Sequence, residues 1–198
     1  KIAVVNSKIT GQTDLLISNV AEKLEAAGVR LSGVVKVMHD EPVGDHHCDM
    51  DLRVLPNGGT IRITQSLGQG SKGCRLDPAA IAEAVAATER VGTGNTDIFI
   101  LNKFGPQEAE GRGFCDAIAS ALESGTPVLV GVGGGCRDAL DAFVDGMAVV
   151  LPAEPDAIHD WCQAAISEDI PIRPQKTAFQ KVFGVWMLRI HRSHVGHA

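Results

Sequence analysis

The sequence predicts an α/β fold: a three-layer sandwich with a mostly parallel sheet and one inserted β-hairpin. Three observations carry that expectation. KIAVVN (1–6), DIFILN (97–102) and PVLVGV (127–132) are continuous apolar runs of strand length, the pattern of strands buried on both faces. Segments with helical spacing separate them, which implies crossover connections between parallel strands. LRVL and TIRIT flank Pro56-Asn57-Gly58-Gly59, a turn composition that joins antiparallel strands.

The elements follow in order. After the first strand, Leu15, Leu16, Val20 and Leu24 recur at helical spacing over 13–27, and Gly28 is a stop signal. RLSGVVKVM (30–38) is a second strand, followed by the polar segment HDEPVGDHHCDMD. The hairpin at 48–65 is a local antiparallel insertion, and SLGQGSKGCRL (66–76) is a glycine-rich loop. Asp77 and Pro78 take N-cap and N1 positions of a helix through Val91. DIFILN is the next strand, 112–124 a helix ended by Gly125, PVLVGV a strand and 137–145 a short helix. AVVLP (148–152) is the last strand and 155–167 the last helix of the sandwich.

With 198 residues, 44% of them apolar and 21% charged, the chain is long enough for one globular core. Residues 1–170 read as that domain and 171–198 as a basic, apolar, helical C-terminal extension. A net charge of -6 offers no general attraction for nucleic acid, and the lack of tyrosine argues against base stacking. No stretch approaches the ~20 apolar residues of a membrane span, and KIAVVNS lacks the apolar core of a signal peptide. The five cysteines (48, 74, 115, 136, 162) form no C-x-x-C. They read as free thiols of a reducing, cytoplasmic compartment.

NSKITGQT (6–13) approximates the phosphate-binding pattern G-x-x-x-x-G-K-[ST], and its strand–turn–helix context is the one that pattern needs. Asn6 replaces the first glycine and tolerates the left-handed conformation a glycine would adopt. Gly11 is in place, Gln12 replaces the lysine, and Thr13 keeps a hydroxyl able to reach magnesium. Gln12 donates hydrogen bonds but cannot neutralise nucleotide phosphates, whereas Lys8 is a cation within the loop. In DIFILNKFGPQEAEGRGF (97–114), Asn102 and Lys103 stand where P-loop enzymes place a metal-binding acid. Glu108 and Glu110 follow as candidate acids.

From these stretches the chain resembles a bacterial domain-of-unknown-function family related to the small thermophilic-type nucleoside triphosphatases. The resemblance rests on CDMDL (48–52), IRITQSLGQGSKGCRLD (61–77) and LNKFGPQEAEGRGF (101–114), and covers roughly residues 1–150. It implies a P-loop NTPase-like sandwich of nucleotide-binding ancestry. The active relatives carry Gly-Lys-Thr where this chain has Gly11-Gln12-Thr13, and Asp-Glu where it has Asn102-Lys103. Both departures imply a binding protein that is at most a weak nucleoside triphosphatase.

Further polar groupings keep other functions open. His39, Asp40, His46, His47, Cys48, Asp49 and Asp51 mix metal-ligating types, with Cys48 and Asp49 the best candidates, though the spacing matches no standard site. The alternative is a polar surface loop. In LGQGSKGCR (67–75), Ser71, Lys72 and Arg75 among three glycines suit phosphate or an oxyanion such as molybdate, or are a solvated connection. Arg137 in GVGGGCRDA (131–139) is a phosphate contact or a helix-capping residue. Beyond Pro174 the chain has no acids, and Phe179, Val182, Phe183, Trp186 and Ile190 form a helical stripe. That stripe packs on its own domain, on a second subunit (a homo-oligomer through 175–192) or on a membrane surface.

The expected function is therefore binding of a nucleotide, with magnesium, or of phosphate, in an accessory or regulatory role with little or no hydrolysis. The alternatives are a small-oxyanion or metal-binding protein, and an interaction module assembled through the C-terminal helix.

Overall fold

A computed structural model describes residues 1–38, 50–65, 75–91 and 95–167. Cys48, Asp49, Ser71, Lys72 and the 175–192 stripe lie outside the described residues. Seven strands form one sheet: β1 (Ile2–Val5), β2 (Leu31–Lys36), β3 (Asp51–Leu55), β4 (Thr60–Arg62), β5 (Ile98–Phe104), β6 (Val128–Val132) and β7 (Val149–Leu151). Their spatial order is β4-β3-β2-β5-β6-β1-β7. The β2-β5-β6-β1-β7 pairings are parallel, and the expected hairpin adds β3 and β4 antiparallel at one edge.

The helices are α1 (Gln12–Ala26), α2 (Pro78–Val91), α3 (Pro106–Ala109), α4 (Cys115–Glu123), α5 (Arg137–Phe143) and α6 (Pro155–Ser167). Alternate residues of each central strand feed two separate cores. Ile2 and Val4, with Phe99, Leu101, Val128 and Val130, pack under α2, α4 and α5. Ala3 and Val5, with Leu31, Val35, Ile98, Ile100 and Leu129, pack under α1 and α6. Burial on both faces explains why these strands read as unbroken apolar runs. Asp77 caps α2 as its sequence suggests, accepting from the N–H of Ala79 at 2.9 Å.

Two boundaries differ from expectation. The helix expected over 112–124 starts later, as α4 (Cys115–Glu123), because Gly113 adopts a positive φ (61°) just before it. A separate short helix that was not expected, α3 (Pro106–Ala109), precedes Gly111 (φ 79°). Strand β5 runs on to Phe104, so Asn102 and Lys103 belong to the strand itself. Asn102 is buried opposite Gly131 of β6, while Lys103 points out.

The buried cysteines 115 and 162 fit the free-thiol reading. Burial pushes both thiols up to about 12, which keeps them in the unreactive protonated form.

Candidate functional site

The helix after β1 covers one face of the sheet, and the helices after β5 and β6 cover the other. The connections therefore diverge at the carboxyl ends of these strands and open a crevice, where α/β sheets bind ligands. Its parts come from the 6–11 turn, the first turn of α1, and the ends of β2, β5 and β6.

The turn is closed by its own side chains. Thr13 Oγ1 accepts from the N–H of Ser7 at 2.9 Å, Ser7 Oγ accepts from the N–H of Ile9 at 3.0 Å, and the Ser7 hydroxyl donates to Gln12 Oε1. Asn6 does not adopt the expected left-handed conformation. Gly11 carries the positive φ of this turn (78°) as the N-cap of α1, because the chain reverses there and not at residue 6. No side chain caps α1; the Gln12 N–H donates to the Ile9 carbonyl at 3.2 Å, and the other N–H groups of the first turn have no intrahelical acceptor. Lys8 is exposed in the turn.

Asp14, one residue beyond Thr13, is the organising group. Its carboxylate is buried (side chain 4% exposed) and lies 3.2 Å from both Lys36 Nζ and Lys103 Nζ. The lysine side chains are 30% and 41% exposed, so the ammonium groups are what the crevice presents. Ser18 Oγ donates to the Lys36 carbonyl at 2.8 Å and fixes the end of β2 against α1. Asn102 Nδ2 donates to the Asp14 carbonyl at 3.1 Å, tying β5 to the same turn of helix. Helix α1 approaches β6 closely at Gly131, where a Cβ would lie 3.1 Å from Thr13 Cγ2 and the threonine methyl would have to give by a few tenths of an ångström.

The other candidate residues are distributed differently. Glu108 Oε2 accepts from the N–H of Gly105 (2.9 Å) and Oε1 from that of Phe114 (3.1 Å), so this carboxylate holds the 105–114 segment together. Glu110 pairs with Arg112 on the surface. Arg137, the first residue of α5, donates to Asp141 at 2.8 Å along the helix and caps no backbone group. Arg75 is exposed, and Asp51 pairs across the hairpin with Arg62 at 3.0 Å. Among the described residues, no group of three metal-ligating side chains occurs.

Burial raises the Glu108 carboxyl above its ordinary value of 4.5, against the pull of the two N–H donors. Its stabilising contribution is thus fully present below that value and is lost as pH rises through the raised folded-state value. Urea unfolding should show wild type and Glu108→Gln farthest apart near pH 4 and closer at pH 7. A gap that widens with pH would contradict this assignment.

Asp14 and Lys36 were not apparent as site residues in the sequence. An acid in the first helical turn ordinarily reads as a complement to the helix dipole, and a lysine ending a strand as a solvated charge. The one available signal was the adjacency of Asp14 to the approximate phosphate-binding pattern.

A family model described as protein of unknown function (DUF2478) matches residues 2–161. The chain belongs to that family. It is also similar to the molybdenum import ATP-binding protein ModC 2 of Bradyrhizobium diazoefficiens, 32% identical over 163 residues, or 81% of this chain. That stretch is 18% of the relative, so the DUF2478 chain spans less than a fifth of it. No solved structure matches. The family match includes every described crevice residue, from Ser7 to Gly131. Among the described residues, no helix is long and apolar enough to cross a membrane.

Proposed function

We propose that this chain binds phosphate groups, of a nucleotide or of phosphate itself, in the crevice at the start of α1, in an accessory or regulatory role with little or no hydrolysis. The observation that carries the reading is buried Asp14 holding Lys36 and Lys103 beside the uncapped N-terminus of α1. Relative to an active P-loop, the charges are exchanged: the acid lies on the helix and the cation on the strand. Two ammonium groups against one carboxylate leave the cluster at +1, which complements an anion that also accepts from the helix N–H groups.

In this reading the lysines, rather than magnesium, carry most of the neutralisation. A divalent cation needs oxygen ligands; the oxygens at this end are Thr13 Oγ1, which accepts from Ser7, and the Asp14 carboxylate. Its Oδ2 accepts from both lysines, while the buried Oδ1 lies 3.2 Å from Lys103 Nζ without a hydrogen-bond partner among the described residues. The lysines supply the neutralisation, and no acid at the end of β5 is available to orient an attacking water. Calorimetric titration should therefore show ATP binding retained in EDTA; binding lost without magnesium would mean that a metal, not the lysines, neutralises the phosphates. Lys103→Gln should weaken phosphate or ATP binding roughly tenfold, or about 1.4 kcal/mol. Unchanged affinity in Lys103→Gln would remove the crevice from consideration.

A second reading is a small tetrahedral oxyanion such as molybdate. It is favoured by the relative named for molybdenum import and by a crevice whose cations would clamp a compact dianion. The same titration, run with molybdate, sulfate and phosphate, distinguishes the two.

A further inference from the structure

The charged end of the crevice continues into an apolar cavity of about 120 Å³ on the α2 side of the sheet. Its walls are Val34, Leu52, Ile63, Ile81, Leu101 and Phe114, and Asp14, Lys36 and Lys103 stand at its polar end. The volume is close to that of an apolar protein cavity, about 150 Å³, that takes up benzene. At the same end, the buried Asn102 Oδ1 has no hydrogen-bond partner among the described residues. Ammonium groups at one end and an apolar, ring-sized recess at the other are complementary to one kind of molecule.

We infer that the ligand of this crevice is an amphipathic anion: a phosphate-type group bearing a single ring, with the anion at Lys36 and Lys103 and the ring in the cavity. The inference rests on the anion-binding reading above and adds the class of ligand. The polar end fixes orientation, and the chamber excludes water from the ring. Anions without a ring bind only the outer half of the site.

Calorimetric titration of the full chain with inorganic phosphate and with phenyl phosphate tests this. Phenyl phosphate is expected to bind at least tenfold more tightly. Ile81→Phe, which fills the chamber from α2, should abolish that gain and leave the affinity for inorganic phosphate unchanged. Leu76→Phe, at a partly buried wall position, serves as a second variant should the first fold poorly. Equal affinities for the two anions in the wild type would overturn the inference while the anion site stands. So would a gain that survives both fillings. Binding of neither anion would overturn the anion reading and this one with it.

Discussion

Gly33→Ala is expected to destabilise the chain by at least about 4 kcal/mol, among the largest effects a single substitution produces. Gly33 lies in β2 between Ile100 of β5 and Leu55 of β3, at φ 107°. A Cβ there would sit 1.9 Å from the Ile100 carbonyl oxygen. That neighbour is backbone of a central strand and cannot move aside as a flexible side chain can. The φ value is itself strained for any L side chain. A domain stable by roughly 5–15 kcal/mol would lose a large share of that in one methyl group. Urea denaturation followed by circular dichroism measures it, with Gly59→Ala as control, since a Cβ at Gly59 meets nothing within 4 Å. Comparable midpoints for the two variants would show that β2 and β5 do not pair in the register described.

Asp14→Asn is expected to move stability and binding in opposite directions. Removing a partner from a fully buried ion pair costs about 3–5 kcal/mol. Here the lysine side chains are 30% and 41% exposed, so water screens part of the loss and about 1–3 kcal/mol is expected. For a chain of this size that lowers the melting temperature by roughly 2–12 °C. The substitution also takes the cluster from +1 to +2, so phosphate should bind several-fold more tightly to the folded variant. Thermal unfolding with and without phosphate reads both effects. Lower stability with weaker phosphate binding would mean that Asp14 contributes to the site only by holding it in shape.

The two predictions concern features of different legibility. KIAVVN, DIFILN and PVLVGV announced themselves as central strands because burial on both faces removes polar alternation, and that is a local property of sequence. The hairpin around Pro56-Asn57-Gly58-Gly59 and the Asp77 cap were equally readable, because turn and cap chemistry act over a few residues. Glu108 was visible as an acid near the end of a strand, but its engagement by the N–H groups of Gly105 and Phe114 depends on how 105–114 folds back on itself. The strain at Gly33 was hidden, since a glycine in an apolar run does not disclose which backbone passes it.

By itself, then, the sequence determined the class of fold, the order of most strands and helices along the chain, the place of the turn between β1 and α1, and family membership. All of these are encoded in residues near one another, through periodicity, caps and turns. The tertiary structure alone decided that Asp14, Lys36 and Lys103 form one cluster. They are 22 and 89 residues apart, counted from Asp14, and meet only because α1 crosses over β2 and β5 in a sheet ordered β2-β5-β6-β1. The sign of the site followed from that meeting. A buried carboxylate beside two partly exposed lysines is a consequence of packing that no single segment carries.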